Sequence, residues 1–232
     1  MTKSEVLKLL ADNQNERGIK HWQTMGDATQ GLTSYGIGLT QLRKLAKKIG
    51  RNHQLALQLW ASDCYDAKVI GLLIDEPKKM TREQVEAQVE QLHAGMLSHV
   101  FSSCDATLPK APFAFEVTND WLASKDEARR RSAYGLVYEL SKNKRLKALT
   151  DAFFLDCIKR IDRTIDSEEN WVRLAQGGAL MGMGKRNKML NQAAIKVAQR
   201  VGPIIYQDGD RKCEPLDVMK HLTSEYLQKK LA

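Results

Sequence analysis

"KDEARRRSAYGLVYELSK", residues 125–142, sets three arginines side by side at the front of an amphipathic helix. Ser124 stands three residues before Glu127, the spacing of a capping box, so Ser124 is the predicted N-cap. At about 100° per residue, Ala133, Leu136, Val137 and Leu140 fall on one apolar stripe, whereas Arg131, Tyr134, Tyr138 and Lys142 fall toward the other side. Three consecutive side chains fan through roughly 200°, so Arg129, Arg130 and Arg131 cannot share one partner. Arg129 lies near the edge of the apolar stripe, and only Arg131 is centred among the tyrosines. The plain alternative is a solvated charge run whose stems cover apolar surface.

A second helix repeats this one. Shifting the sequence by 42 residues lays Arg131 on Arg173, Ala133 on Ala175 and Val137 on Ala179, within the period of two-helix HEAT repeats. "YDAKVIGLLIDE" (65–76) has a similar look with Lys68 in the arginine's place, although its spacing does not fit the same period. Helical periodicity recurs almost throughout and strand alternation is missing, which gives an all-α class. Helices are predicted near 3–12, 16–25, 39–50, 53–62, 65–75, 81–100, 110–123, 126–142, 147–163, 168–184, 189–200 and 216–230. The breaks carry turn residues at 26–38, 75–81 and 202–215. The expected architecture is a HEAT-like, armadillo-type α-solenoid of antiparallel helix pairs with a concave basic face, a single domain over 1–232. Arg131 and Arg173 would line that face with Tyr138 and Trp171 nearby, a mixture that suits a nucleic-acid backbone.

Composition bounds the partners. The 232 residues hold 36 Lys plus Arg against 28 Asp plus Glu, a net charge of +8, which makes polyanions plausible ligands. Cys64, Cys104, Cys157 and Cys213 form no close pair, so four thiols in a reducing cytoplasm are expected rather than a disulfide framework or zinc ribbon. No apolar run approaches a membrane span and the N-terminus lacks a signal peptide's core, so a cytoplasmic chain without a membrane partner is expected. His21, His53, His93, His99 and His221 show no metal-ligand spacing, so neither a metal nor another cofactor is expected. "GALMGMGKRN" (178–187) fails as a phosphate loop because Ala179 and Arg186 break the motif and no strand precedes it.

Several stretches in order resemble one family. "YGIGLTQLRKLAKKIG" (35–50), "LALQLWASDCYDAKVIGLLI" (55–74), "DWLASKDEARRRSAYGLVYEL" (120–140) and "ALMGMGKRN" (179–187) together resemble the DNA alkylation repair family of HEAT-like repeat proteins, over about 35–200, with 201–232 as a C-terminal loop and helix. The resemblance implies a monomer that holds double-stranded, alkylated DNA in a concave groove. It also implies N-alkylpurine DNA glycosylase chemistry without flipping the base into a pocket. It puts Arg131 at the family's groove arginine, a backbone contact near the lesion, with Arg173, Lys142, Lys185, Arg186, Tyr138 and Trp171 as further DNA-binding candidates.

The catalytic segment departs from that pattern. Active members carry a Trp-Asp pair and a second Asp three residues on, which stabilises positive charge on the sugar or places a water. Here "SSCDATLPK" (102–110) has Cys104 for the tryptophan, Asp105 for its neighbour and Leu108 for the decisive carboxylate. Losing that carboxylate withdraws the electrostatic stabilisation that usually matters most, which leaves Asp105 as the candidate catalytic residue. The alternative is a catalytically inactive nucleic-acid-binding or protein-interaction scaffold. The family's other groove tryptophan aligns with Gly178. Gly177, Gly178, Gly182 and Gly184 in one helix each cost roughly 1 kcal/mol against alanine, so they are expected to serve close packing or to leave room for a bulky ligand.

Overall fold

The computed structural model describes residues 1–92, 95–208, 211–212 and 214–231. Several of its helices begin where short polar side chains hold orphan amides. Thr2 and Glu5 form a reciprocal capping box ahead of α1 (Lys3–Asp12), and Asn15 caps α2 (Glu16–Gln23). They are followed by α3 (Leu39–Ile49), α4 (His53–Trp60) capped by Asn52, α5 (Tyr65–Ile74), α6 (Arg82–Val89) capped by Thr81, and α7 (Gly95–Ser102). After a 3-10 turn at Leu108–Lys110 come α8 (Ala114–Leu122), α9 (Glu127–Leu140), α10 (Asp151–Thr164), α11 (Asn170–Gly184), α12 (Lys188–Val201), α13 (Val218–Leu222) and α14 (Glu225–Leu231). Among the described residues the fold is helical apart from a two-residue antiparallel pairing, Gln207–Asp208 with Arg211–Lys212, and two single bridges, Thr33 with Cys64 and Ile204 with Leu216. The chain divides into two compact units, Met1–Ala114 and Phe115–Ala232.

The first unit is organised around α5, which packs on α1, α3, α4 and α7 and is buried from Asp66 to Ile74. A carboxylate in such a place must be satisfied. Asp66 accepts from Ser34 Oγ (2.7 Å), Tyr35 N (2.8 Å) and Ile37 N (3.1 Å), tying the loop before α3 to the central helix. That loop touches α2 so closely that a Cβ on Gly18 or Gly36 would strike backbone, and Gly36 holds a left-handed φ of 68°. Lys68 does not offer a groove cation: it is buried, its ammonium donates to the Trp60 carbonyl at 2.5 Å and it lies 4.8 Å from the Trp60 ring centroid.

The second unit is two-layered. α9, α11 and α13 are neighbours in one layer; in the other α10 packs on α12, and α8 reaches α10 through Phe115 and Phe153. This is the helix-pair stacking of HEAT-like repeats. Ala133, Leu136, Val137 and Leu140 are all buried, as their stripe predicts.

Four expectations need correction. The N-cap of α9 is Asp126, whose carboxylate accepts from Arg129 N, while Ser124 Oγ accepts from Asp126 N in the turn before it. Tyr134 is buried rather than facing outward with Arg131, because α11 covers that flank; its hydroxyl bonds Gln176 and Thr164, and burial above all raises its pKa. The helix expected over 81–100 is two, α6 and α7, separated by i→i+3 turns at Gln91 and Leu92. The helix expected over 216–230 is broken into α13 and α14 around Thr223 and Ser224. Cys213 and His93 lie outside the described residues.

Candidate functional site

Residues 128, 131, 135 and 138 recur at helical spacing and make an accessible stripe of α9, which Lys142 continues in the turn just past the helix. Residues 171, 174, 178 and 181 make the corresponding stripe of α11, which Lys185 continues at the C-cap. α9 starts at 127 and α11 at 170, so the helices repeat at 43 residues, and in that register the buried and accessible positions coincide almost throughout. The repeat seen at 42 is therefore one residue out. Arg131 has Leu174 as its structural counterpart, and Arg173 answers to Arg130.

The three arginines part company as their fan requires. Arg129 pairs with Asp126 at 3.6 Å. Arg130 is clamped by Glu168 at 2.9 Å and Glu169 at 2.5 Å, and also donates to the Lys125 carbonyl at 2.6 Å, with its side chain 15% exposed. Burial, with Glu169 alongside, pushes the Glu168 carboxyl above the usual range although Arg130 pulls it down. Arg131 lies over the ring of Trp171, its guanidinium carbon 4.7 Å from the ring centroid, and Trp171 is in turn 6.0 Å from Tyr206. An aromatic face orients a guanidinium through its quadrupole and leaves the positive charge in place.

The remaining predicted contacts have different employments. Lys142 lies 4.2 Å from the Tyr138 ring centroid and pairs with Glu139 at 2.8 Å. Lys185 is exposed at the C-terminal end of α11. Arg173 is half-buried, and its Nε is a buried donor with no hydrogen-bond partner among the described residues. Arg186 is only 12% exposed: its guanidinium donates to the carbonyls of Ser141, Asn143 and Leu149 and covers Phe154. Those bonds make Arg186 a strut for the 141–149 loop, which α9 needs in order to return to α10.

The four glycines of α11 also separate. A Cβ on Gly177 would hit Ile204 and Leu216, one on Gly182 would hit Tyr138 and Ser141, and one on Gly184 would hit Leu222. Close packing accounts for these three. Gly178 has nothing within 4 Å of such a Cβ, and it lies on the same stripe as Trp171.

Asp105 belongs to the first unit. It follows Cys104 in a turn where both adopt left-handed φ, 59° and 71°, an unfavourable conformation for residues with a Cβ. Arg43 on α3 holds that turn: its Nε donates to the Cys104 carbonyl at 3.3 Å and lies 3.1 Å from the Asp105 carboxylate. The next residues are pinned by Thr107, whose amide donates to the Leu72 carbonyl and whose hydroxyl bonds the Asp75 carbonyl and Arg51. Leu108 is 1% exposed and faces the core. Among the described residues, no three His, Cys, Asp or Glu side chains gather where they could hold a metal ion.

Residues 6–209 match the sequence model of the family described as DNA alkylation repair enzyme. The chain belongs to that family. It is 28% identical over 218 residues to an uncharacterized protein of Listeria innocua and 27% identical over 218 residues to one of Listeria monocytogenes, with 90% of each chain covered. A solved structure, described as a new family of proteins related to the HEAT-like repeat DNA glycosylases with affinity for branched DNA structures, superposes with a TM-score of 0.84 at 23% identity. The match covers 100% of this chain and 96% of that one, a likeness of fold.

Within the DNA alkylation repair family, this member keeps an arginine where the resemblance puts the groove arginine and lacks the carboxylate at 108. Sequence reading missed Tyr206 behind Trp171, the Glu168–Glu169 clamp and the cations around Asp105. None of these is adjacent in sequence to its partner, so no local spacing could reveal them.

Proposed function

We propose that this protein binds double-stranded DNA through the accessible stripes of α9 and α11, with Arg131 as the central phosphate contact. The observation that carries this is Arg131 held over Trp171, an oriented cation beside an aromatic surface. Arg173 and Lys185 supply further positive charge on the same two-helix unit. Family membership supports alkylated DNA as the substrate class, and the affinity of the structural neighbour's family for branched DNA makes junctions the second DNA form to test. We further propose that the chain acts as a cytoplasmic monomer.

Titration of a labelled duplex, an alkylated duplex and a four-way junction against increasing salt tests this. Binding is expected with log K falling in proportion to the number of phosphates contacted, and Arg131→Ala should weaken every DNA form about tenfold while flattening the salt slope by about one unit. Salt-independent binding, or an unaltered slope in the variant, removes Arg131 from the interface.

Base release is the second reading, favoured by the accessibility of Asp105, whose side chain is 74% exposed. An alkylated purine is already a cationic leaving group, so a carboxylate near the sugar need only stabilise the oxocarbenium-like sugar as the base departs and accept the proton of the water that adds to its anomeric carbon. Single-turnover release of 7-methylguanine and 3-methyladenine, against a no-enzyme control, should be lost in Asp105→Asn. Release that persists in the variant excludes Asp105, and no release in the native protein leaves a DNA-binding member without the chemistry.

A further inference from the structure

The first unit holds a second basic site. A cleft of about 370 Å³ opens between the C-terminal half of α3 and the 104–110 turn, over an apolar floor of Ala46, Leu73 and Ile74. Its rim carries Arg43, Lys47, Arg51 and Lys110 and a single carboxylate, Asp105. Lys47 and Lys110 are exposed and make no side-chain bond or ion pair among the described residues. Arg51 spends Nη1 on the carbonyls of Leu73 and Asp75 and on Thr107 Oγ1, which anchors the side chain; its Nη2 and Nε have no hydrogen bond among the described residues. Gly50, the C-cap of α3, has a φ of 81° that a residue with a Cβ would resist, and this turn brings Arg51 round to the cleft.

A plainer account covers part of this arrangement. Lys47 sits in the last turn of α3, where a cation offsets the carbonyl end of the helix dipole, and that same end disfavours an anion. But the dipole amounts to about half an elementary charge, against four cations and one carboxylate on the rim. Neither does the dipole explain Lys110, which belongs to the 3-10 turn, or Arg51 beyond the helix end. The excess of positive charge in a cleft with an anchored guanidinium fits a phosphate better than it fits solvent.

We infer that this cleft is a phosphate site for a nucleic-acid backbone, and that Asp105 occupies Arg43 until a phosphate displaces it. Arg43 is 34% exposed and Asp105 74%, so their ion pair is a surface one, of the kind that exchanges readily. A phosphate at the same place would meet Arg43 together with Lys47, Arg51 and Lys110, where the Asp105 carboxylate meets Arg43 alone. Asp105 then opposes binding, whereas a catalytic carboxylate without a binding role would leave DNA affinity unaltered on neutralisation. The inference rests on the DNA-binding proposal for the source of the phosphate, and on this cleft alone for the anion site.

The test pairs Asp105→Asn with the double variant Lys47→Ala/Lys110→Ala, and takes Lys188→Ala/Lys196→Ala, two exposed positions on α12, as a charge-matched control. DNA affinity is read by fluorescence anisotropy and small-anion affinity by calorimetry with inorganic pyrophosphate; circular dichroism confirms that each variant is folded. Asp105→Asn should tighten DNA binding about threefold, and the double lysine variant should weaken it at least tenfold and flatten the salt slope by about two units, well beyond the control. Pyrophosphate affinity should change in the same directions. Unaltered or weaker binding in Asp105→Asn, or a lysine variant that matches the control, overturns the proposal. Pyrophosphate binding that responds to these changes in a protein that ignores DNA overturns the nucleic-acid source and the proposed function while upholding the anion site.

Discussion

Arg131 and Arg43 are both arginines held in place, one in each compact unit, and they are held by opposite means. Arg131 lies over the ring of Trp171, whereas Arg43 is hooked to the carboxylate of Asp105. In energy the two devices are similar: a cation over an exposed aromatic ring contributes about 0.5–1 kcal/mol, and an exposed ion pair about 0–1 kcal/mol. They differ in kind: the ring orients Arg131 through its quadrupole and adds no negative charge of its own, whereas the carboxylate of Asp105 sets a full negative charge beside Arg43. Position alone therefore does not make an arginine a phosphate contact. Arg130, next to Arg131 on the same helix, shows the limiting case, clamped by two glutamates.

Both arginines need rigid mounts. The largest effect is expected from Asp66→Ala, which leaves Ser34 Oγ and the amides of Tyr35 and Ile37 without their buried acceptor. A loss of about 3 kcal/mol in urea unfolding is expected, since each unsatisfied donor costs about 1–3 kcal/mol and the loop relaxes in part. A loss below about 1 kcal/mol would mean that the segment leading into α3 is not what positions Arg43. A smaller effect, on binding rather than folding, should follow Trp171→Ala. DNA affinity should fall about fivefold, or about 1 kcal/mol, with Trp171→Tyr recovering most of it. Equal loss in both variants would show that the ring contacts DNA through its indole rather than by aiming Arg131. The smallest effect is Gly178→Ala, which should stabilise the second unit by about 0.5–1 kcal/mol because the position is helical and open. Destabilisation there would show that the space above Gly178 is closed in solution.

Cysteine chemistry follows the same division between mounted and accessible groups. Burial pushes the Cys157 thiol up to about 12 and raises that of Cys64, which makes both unreactive interior side chains. Cys104, half-buried in the strained turn beside Asp105, is the more accessible of the described thiols.

The sequence by itself determined the helical class, the apolar stripe of α9 and the outward position of Arg131, because a 3.6-residue period is a local property that each helix carries within its own side chains. It also showed that residue 108 has no carboxylate. What only the tertiary structure decided were the matters that depend on neighbours distant in sequence. The cap, by contrast, moved from Ser124 to Asp126 by a local choice between two side chains that can both cap, Ser124 accepting from Asp126 N in the turn before the helix. Tyr134 went inside because α11 lies against it, and the repeat proved to be 43 residues because burial, unlike residue identity, registers the packed face. Arg186 looked like a groove cation and became a strut because three loop carbonyls converge on it. The roles of Arg130 and Arg43 were set the same way, by Glu168 and Glu169 in one case and Asp105 in the other. A charged side chain's function depends on which partner folding brings within about 3 Å, and that distance is not written in any one segment of the chain.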